Sequence, residues 1–213
     1  MDLPSVVRDV AIVVAAYFIG GIPWGVVVAR LAGGPDPRTL GSGRTGGANV
    51  LRAVGPRLAL TAGLLDMLKG VVVVLLARLL GAGPWVEVAA AAVAIVGHTF
   101  SPYLGFKGGR GVSVGWGSLL VLAPVIAFAI VPIYLVILLV TGYSSLGSLV
   151  GSLVAGLSLA ATTLANGGPT AYVAYAVVGT ALIWLFHLDN IRRLLAGTER
   201  KLDFRRSERP PPP

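Results

Sequence analysis

The sequence predicts an all-α integral membrane protein, a bundle of apolar helices that crosses the bilayer several times. Of its 213 residues, 55% are hydrophobic and 12% are charged, far less charge than a water-soluble domain needs to cover its surface. The mean hydropathy is +0.84. The charges are concentrated in residues 30–57, 107–110 and 192–209, with nearly neutral stretches between them. We therefore expect a single membrane-embedded domain over residues 1–200.

Six apolar segments are candidate spans, because a helix needs about 20 apolar residues to cross the hydrocarbon core. The fourth segment is too long for one ordinary helix, and Pro124 and Pro132 are its candidate break points. The first is too long for a typical signal peptide and has no clear cleavage site, so we interpret it as an uncleaved helix. The six segments are residues 10–28, 58–80, 85–100, 112–140, 146–165 and 170–188.

The distribution of arginine and lysine decides between six and seven spans. Loop 30–57 carries five arginines against the single acid Asp36, which places it in the cytoplasm and the N-terminus outside. Residues 192–209 carry seven basic residues and reach the same side only if 112–140 forms two helices. We therefore predict seven transmembrane helices with a cytoplasmic C-terminus. The basic, proline-rich residues 201–213 are predicted to form a disordered cytoplasmic tail.

The loop at residues 40–52 contains the residue types that bind phosphate. Its glycines let backbone amides approach a ligand, its polar side chains can donate hydrogen bonds, and its arginines offer bidentate donors. The alternative is a flexible loop whose arginines only fix the topology. No Gly-Lys-Ser/Thr follows, so the loop is not a Walker A nucleotide site. The candidate residues are Gly41, Ser42, Gly43, Arg44, Asn49 and Arg52.

A second basic segment directly precedes the fourth apolar stretch and contains Lys107, Gly108, Gly109 and Arg110. Taken alone, it fits a tight turn in a cytoplasmic loop. Together, the two segments would bring four cations and several backbone amides to one membrane face. Such a pocket is costly unless an anion occupies it, so the pair predicts an anion-binding site.

Several ionisable residues lie within or next to the predicted spans. Asp66 and Lys69 are three residues apart and can pair on one helical face. Ionisable groups inside a bilayer are candidates for function, although a structural ion pair remains the alternative. His98 precedes the second basic segment, and His187 and Asn190 lie at the inner end of the last span. Glu199 either reaches back to an arginine or is a solvated charge.

Other classes of protein fit the sequence less well. The sequence pI of about 10.4 suggests nucleic-acid binding, but the basic residues lie between spans. The chain has no cysteine, its carboxylates form no cluster that suggests a metal site, and neither histidine begins a His-x4-Asp motif. A transporter or channel for a phosphorylated anion remains the alternative to an enzyme, although no inverted repeat is visible.

These motifs together resemble those of the bacterial membrane acyl-phosphate:glycerol-3-phosphate acyltransferases (PlsY type). The resemblance extends from about residue 17 to residue 200, with six motifs in register. The motifs are residues 21–25, 41–52, 65–70, 97–102, 106–112 and 187–199.

The resemblance implies a seven-helix fold without a metal or nucleotide cofactor, on the cytoplasmic side of the bacterial inner membrane. Acyl phosphate would be the donor and the 1-hydroxyl of glycerol 3-phosphate the acceptor, giving lysophosphatidate and inorganic phosphate. Membrane lipid would be the other partner, and nucleic acid would not be one. By position, the catalytic residues are Ser42, Arg52, His187 and Asn190; the phosphate-binding residues are Gly41, Gly43, Asn49, Lys107, Gly108, Gly109 and Arg110; the supporting residues are Asp66, Lys69, His98 and Glu199.

The sequence departs from the family pattern in four places. Arg44 stands where the family most often has Asn, and Arg110 stands where Lys is usual. Gly47-Ala48 and Ser113-Val114 replace Ala-Thr pairs, which removes two hydroxyl groups. The resemblance therefore also allows a divergent member with an altered acceptor.

Overall fold

A computed structural model describes residues 2–202, and its regular structure in this range is entirely helical. The predicted disordered tail, apart from Lys201 and Leu202, lies outside the described residues. Short 3-10 turns at Pro37–Thr39 and Pro102–Leu104 precede the two basic segments. The helices are α1 (Leu3–Gly21), α2 (Trp24–Leu31), α3 (Gly47–Val54), α4 (Pro56–Leu79), α5 (Pro84–Thr99), α6 (Val112–Leu122), α7 (Pro124–Thr141), α8 (Ser144–Ala165), α9 (Thr170–Phe186) and α10 (Leu188–Leu195).

Proline interrupts the first predicted span. The N–H that Pro23 lacks cannot continue the hydrogen-bond ladder, so α1 ends at Gly21 and α2 begins at Trp24. The break leaves the carbonyl groups of Gly20 and Ile22 without helical partners. Both accept hydrogen bonds from the Lys69 ammonium group at 2.8 Å. A buried cation from another helix thus stabilises the break.

The long apolar stretch at residues 112–140 consists of two helices, as predicted. The break lies at Ala123, and Pro124 occupies the first turn of α7, where a missing N–H costs little. Pro132 remains inside α7 without interrupting it. Of the two predicted break points, the structure therefore uses Pro124.

Five helical segments of the described chain are long and apolar enough to cross a membrane, counting α1 with α2 and α5 with the 3-10 turn that follows it. The pair α9 and α10, bent by 61°, is a sixth candidate. With 11 residues, α6 is shorter than an ordinary span. The predicted count of seven therefore requires α6 to cross as a short helix.

The loops around the basic motifs lie at one end of the bundle, called here the basic end. Arg110, just before α6, pairs with Asp189 of α10 at 2.7 Å. Gly142, just after α7, accepts a hydrogen bond from the backbone N–H of Leu202 at 2.8 Å. The α6–α7 pair therefore starts and finishes at the end where α9 terminates. At the opposite end, Arg78 of α4 binds Glu87 of α5 at 2.9 Å.

Glycines allow close helix–helix contacts, and these contacts were not predicted from the sequence. A Cβ atom at Gly70 of α4 would overlap the carbonyl oxygen of Val114, and one at Gly117 of α6 would overlap that of Met67. The two contacts are reciprocal, so α4 and α6 approach backbone to backbone. Small residues of this kind drive close helix packing in membranes.

We expect Gly117→Ala to destabilise the protein by about 1–3 kcal/mol, because the added methyl group meets backbone that cannot rotate away. Thermal unfolding in detergent would measure the change. Gly63→Ala is the matched control, since a Cβ atom at Gly63 in α4 meets nothing within 4 Å. Alanine there should preserve or raise stability through its better helix propensity. Equal stability of the two variants would contradict the packing argument.

Candidate active site

A cavity of about 590 Å³ extends from the basic end into the bundle. We call its polar part the mouth. The remainder is lined mainly by apolar and small residues of α4 and α6–α9. This combination suits an amphiphilic ligand with a charged head and an apolar chain. Mouth residues include Ser42, Arg44, Asn49, Arg52, Arg110, His187, Asn190, Arg193, Glu199 and Arg200; residues deeper in the cavity include Leu64, Leu119, Ile130, Gly151, Leu159, Tyr175 and Ile183.

Asn49 holds the first basic loop in shape. Its buried amide nitrogen donates its two hydrogens to the carbonyl groups of Leu40 and Arg44, both at 2.9 Å, and lies 3.1 Å from the Ser42 hydroxyl oxygen. Its side-chain oxygen accepts a hydrogen bond from Arg52 at 2.9 Å. These contacts already use the amide N–H groups of Asn49, so the structure gives it an organising role. Its predicted direct contact with substrate phosphate stays a prediction.

The glycines of this loop are required by its backbone conformation. Gly41 and Gly43 have φ of +51° and +69°, values that L side chains rarely adopt. A Cβ atom at Gly41 would also lie 2.5 Å from the Asn49 side-chain oxygen. The two glycines therefore let the loop turn back onto Asn49 and place Ser42 at the cavity.

Arg110 connects the second basic segment to the junction of α9 and α10. It donates to Asp189 at 2.7 Å and to the carbonyl oxygen of Phe186 at 3.2 Å. Burial lowers the pKa of Arg110, the Asp189 charge raises it, and the nearby Arg44 charge lowers it. Asp189 was not among the residues predicted from the sequence, although its spacing of four residues from Arg193 indicates an ion pair, which the structure contains at 3.2 Å.

The structure does not bring Lys107, Gly108 and Gly109 into the mouth, and their role in phosphate binding stays a prediction. The backbone N–H groups of Gly108 and Gly109 donate to the carbonyl groups of Thr99 and His98, so neither amide is available to a phosphate. Side chains at these two glycines would overlap His98, and close packing on the end of α5 explains their presence. The Lys107 side chain is exposed and does not line the cavity. Of this segment, Arg110 enters the mouth.

Asp66, Lys69 and His98 form one buried network. The Lys69 ammonium group lies 2.8 Å from an Asp66 carboxylate oxygen and 3.0 Å from His98 Nδ1. Since Lys69 can only donate, His98 Nδ1 accepts and its proton resides on Nε2. With its bonds to Gly20 and Ile22, Lys69 joins α1, α4 and α5. This geometry favours the structural alternative for the Asp66–Lys69 pair.

His187 is buried at the junction of α9 and α10. Its Nδ1 lies 2.7 Å from the carbonyl oxygen of Ile183. A carbonyl can only accept, so Nδ1 carries the proton and Nε2 retains a free electron pair. His187 lines the cavity, and this tautomer equips it to accept a proton there.

Glu199 orients Asn190 toward the same region. Its carboxylate accepts hydrogen bonds from Asn190 at 2.6 Å, Arg193 at 2.7 Å and Ser145 at 2.9 Å. Burial raises the pKa of Glu199, but the three donors outweigh burial and hold the pKa below its ordinary value. Glu199 thus reaches back to an arginine, as one alternative predicted. The side-chain oxygen of Asn190 is buried and has no hydrogen-bond partner among the described residues.

This architecture defines a class, the multi-pass membrane proteins with a cationic mouth over an apolar cavity. The chain belongs to the glycerol-3-phosphate acyltransferase family, whose model matches residues 10–197. The resemblance found in the sequence is thereby confirmed.

Curated relatives and solved structures agree with this membership. The glycerol-3-phosphate acyltransferase of Rubrobacter xylanophilus is 44% identical over 92% of this chain and 96% of its own. That of Thermus thermophilus is 42% identical over 89% of this chain and 93% of its own. The glycerol 3-phosphate form of PlsY (YgiH), an integral membrane glycerol 3-phosphate acyltransferase, is 34% identical. It superimposes with a TM-score of 0.83 over 92% of this chain and 96% of that one. The lysophosphatidic acid form gives a TM-score of 0.82.

Proposed function

We propose that this protein transfers an acyl group from acyl phosphate to the 1-hydroxyl of glycerol 3-phosphate. The products are lysophosphatidate and inorganic phosphate. One observation carries the proposal: a single cavity joins an arginine-lined mouth, suited to phosphate groups, to an apolar interior, suited to an acyl chain. Support comes from the family and from the related PlsY structures with glycerol 3-phosphate and lysophosphatidic acid.

The reaction needs no acyl-enzyme, because acyl phosphate is a mixed anhydride and already activated. The glycerol 1-hydroxyl oxygen forms the new bond to the acyl carbon, and the bond from that carbon to the phosphate oxygen breaks. The phosphate leaves with the electron pair. The hydroxyl proton passes either to a phosphate oxygen or to His187 Nε2. The protein's main tasks are to orient the hydroxyl and to offset the repulsion between two anions.

The mouth residues divide this work. Arg52 and Ser42 bind a substrate phosphate on the loop that Asn49 organises, and Arg110 supplies charge from the segment before α6. Asn190 accepts a hydrogen bond from a substrate hydroxyl through its unpaired oxygen, and Glu199 holds it in place. The groups that make these contacts are already held in position: Arg52 by its hydrogen bond to Asn49, and Asn190 by its hydrogen bond to Glu199.

The proposed topology has seven spans, with α6 as a short span and α1–α2 as one interrupted span. The N-terminus lies outside and the basic end faces the cytoplasm of a bacterial cell, since loop 30–57 is rich in arginine. The active site then opens on the inner face of the plasma membrane, within reach of a water-soluble acceptor.

An assay in detergent tests the reaction, with the purified protein, labelled glycerol 3-phosphate and either acyl phosphate or acyl-CoA. We expect labelled lysophosphatidate from acyl phosphate and none from acyl-CoA. Product from acyl-CoA alone would refute the proposed donor. If no product forms but liposomes take up labelled glycerol 3-phosphate without an acyl donor, the protein is a transporter.

A further inference from the structure

The proposed mechanism assigns no role to the positively charged side chain of Arg44. Its side chain is half-buried and lines the cavity mouth together with Ser42 and Arg52. Its backbone is fixed, because the Asn49 amide donates to the Arg44 carbonyl group at 2.9 Å. The loop therefore holds Arg44 at the mouth by its main chain.

The acidic groups near the mouth are committed to other cations. Asp189 pairs with Arg110 at 2.7 Å, and Glu199 pairs with Arg193 at 2.7 Å. Deeper in the cavity wall, Asp66 pairs with Lys69 at 2.8 Å. Within residues 2–202, Arg44 has no acidic partner. An uncompensated cation in a partly enclosed cavity is costly and favours a bound anion.

Arg44 and Arg110 line the same mouth, and the charge of Arg44 lowers the pKa of Arg110. Like charges at such a position repel, and the Asp189 carboxylate forms an ion pair with Arg110 but not with Arg44. A phosphate between the two guanidinium groups would turn this repulsion into two attractive contacts, and arginine has the planar donors that suit it.

We propose that Arg44 and Arg110 together form a second phosphate-binding position in the mouth, beside the one at Ser42 and Arg52. The inference rests on the proposed function, in which both substrates carry a phosphate group and so require two such positions. Because the resemblance predicts asparagine at residue 44, the extra cation gives this chain a tighter hold on one phosphate than asparagine would provide.

The test compares Arg44→Asn, Arg44→Lys and wild type in steady-state kinetics with each substrate varied. We expect Arg44→Asn to raise KM for one of the two substrates about tenfold, the effect of losing one charge-assisted contact. kcat should change less, and Arg44→Lys should restore most of the affinity. Arg30→Asn is the matched control, because Arg30 is exposed and does not line the cavity.

Inorganic phosphate identifies which substrate the position serves. If Arg44 holds the donor, Arg44→Asn should raise KM for acyl phosphate and weaken inhibition by inorganic phosphate, the leaving group. If it holds the acceptor, KM for glycerol 3-phosphate should rise instead. Unchanged KM values for both substrates, or changes equal to those of Arg30→Asn, would overturn the inference.

A binding measurement separates this inference from the proposed function. Inorganic phosphate should raise the unfolding temperature of wild type in detergent more than that of Arg44→Asn. If this difference appears but no acyl transfer occurs, the phosphate position stands and the proposed reaction fails. If acyl transfer occurs without the difference, the proposed function stands and the role of Arg44 is refuted.

Discussion

Arg52→Ala is expected to lower kcat/KM for acyl transfer by about 100-fold, or about 2.7 kcal/mol of transition-state stabilisation. The substitution removes a guanidinium group that lines the mouth and also removes the hydrogen bond to Asn49 at 2.9 Å. Initial rates of lysophosphatidate formation by purified protein measure the effect. Arg57→Ala is the control, since Arg57 is exposed on the same stretch of chain and does not line the cavity.

A second substitution separates the charge of Arg52 from its bond to the loop. Arg52→Gln keeps an amide donor that can reach the Asn49 oxygen but carries no charge. If Arg52 acts on a substrate phosphate, Arg52→Gln should be nearly as impaired as Arg52→Ala. Near-normal activity of the glutamine variant would mean that Arg52 only anchors the loop. Near-normal activity of Arg52→Ala would contradict both roles.

Lys69→Met should cause the largest loss of stability, about 3–5 kcal/mol, because it leaves the Asp66 carboxylate buried without its cation. It also removes both hydrogen bonds that Lys69 donates at the α1–α2 break. The folded, monodisperse fraction in detergent and the unfolding temperature would report the loss. Lys107→Met provides the control for stability, since Lys107 is exposed.

The double variant Asp66→Asn with Lys69→Met tests the mechanism of that loss. Removing the carboxylate charge as well should recover part of the stability, because no unpaired charge then remains. A Lys69→Met protein that folds with wild-type stability yet has no activity would instead assign Lys69 to catalysis. The two readouts therefore decide between the alternatives that the sequence left open.

The broad design of the fold could be predicted from the sequence because it depends on local composition. Apolar stretches predicted the helices, and Pro124 was one of two predicted break points in the fourth stretch. The break at Pro23 was not predicted, because a proline can be tolerated inside a span of a packed bundle. The reciprocal contacts at Gly70 and Gly117 could not be predicted, because a glycine within an apolar stretch does not indicate which helix faces it. Helix packing depends on pairs of residues that are distant in sequence, and a single sequence does not show which residues pair.

The candidate site, like the fold, could be predicted only in part. Residue type and spacing predicted Ser42, Arg52 and Arg110 at the mouth, and the structure places all three there. Spacing could not tell that the Gly108 amide donates to α5 instead of facing a ligand. Nor could it predict that Asp189 pairs with a residue 79 positions away. Hydrogen-bond direction and long-range partners depend on the tertiary structure.

The short α6 helix bears on how the rate of the proposed reaction depends on the surrounding membrane. Its 11 residues extend about 16 Å, less than an ordinary span, so the polar loop before α6 lies close to the apolar interior of the bundle. Glycerol 3-phosphate dissolves in water, whereas an acyl chain partitions into lipid. In the proposed reaction, the effective concentration of the acceptor is therefore set by the aqueous volume, and that of the donor by the membrane area. Diluting the bilayer with inert lipid should slow the enzyme even when the bulk amounts of both substrates are unchanged.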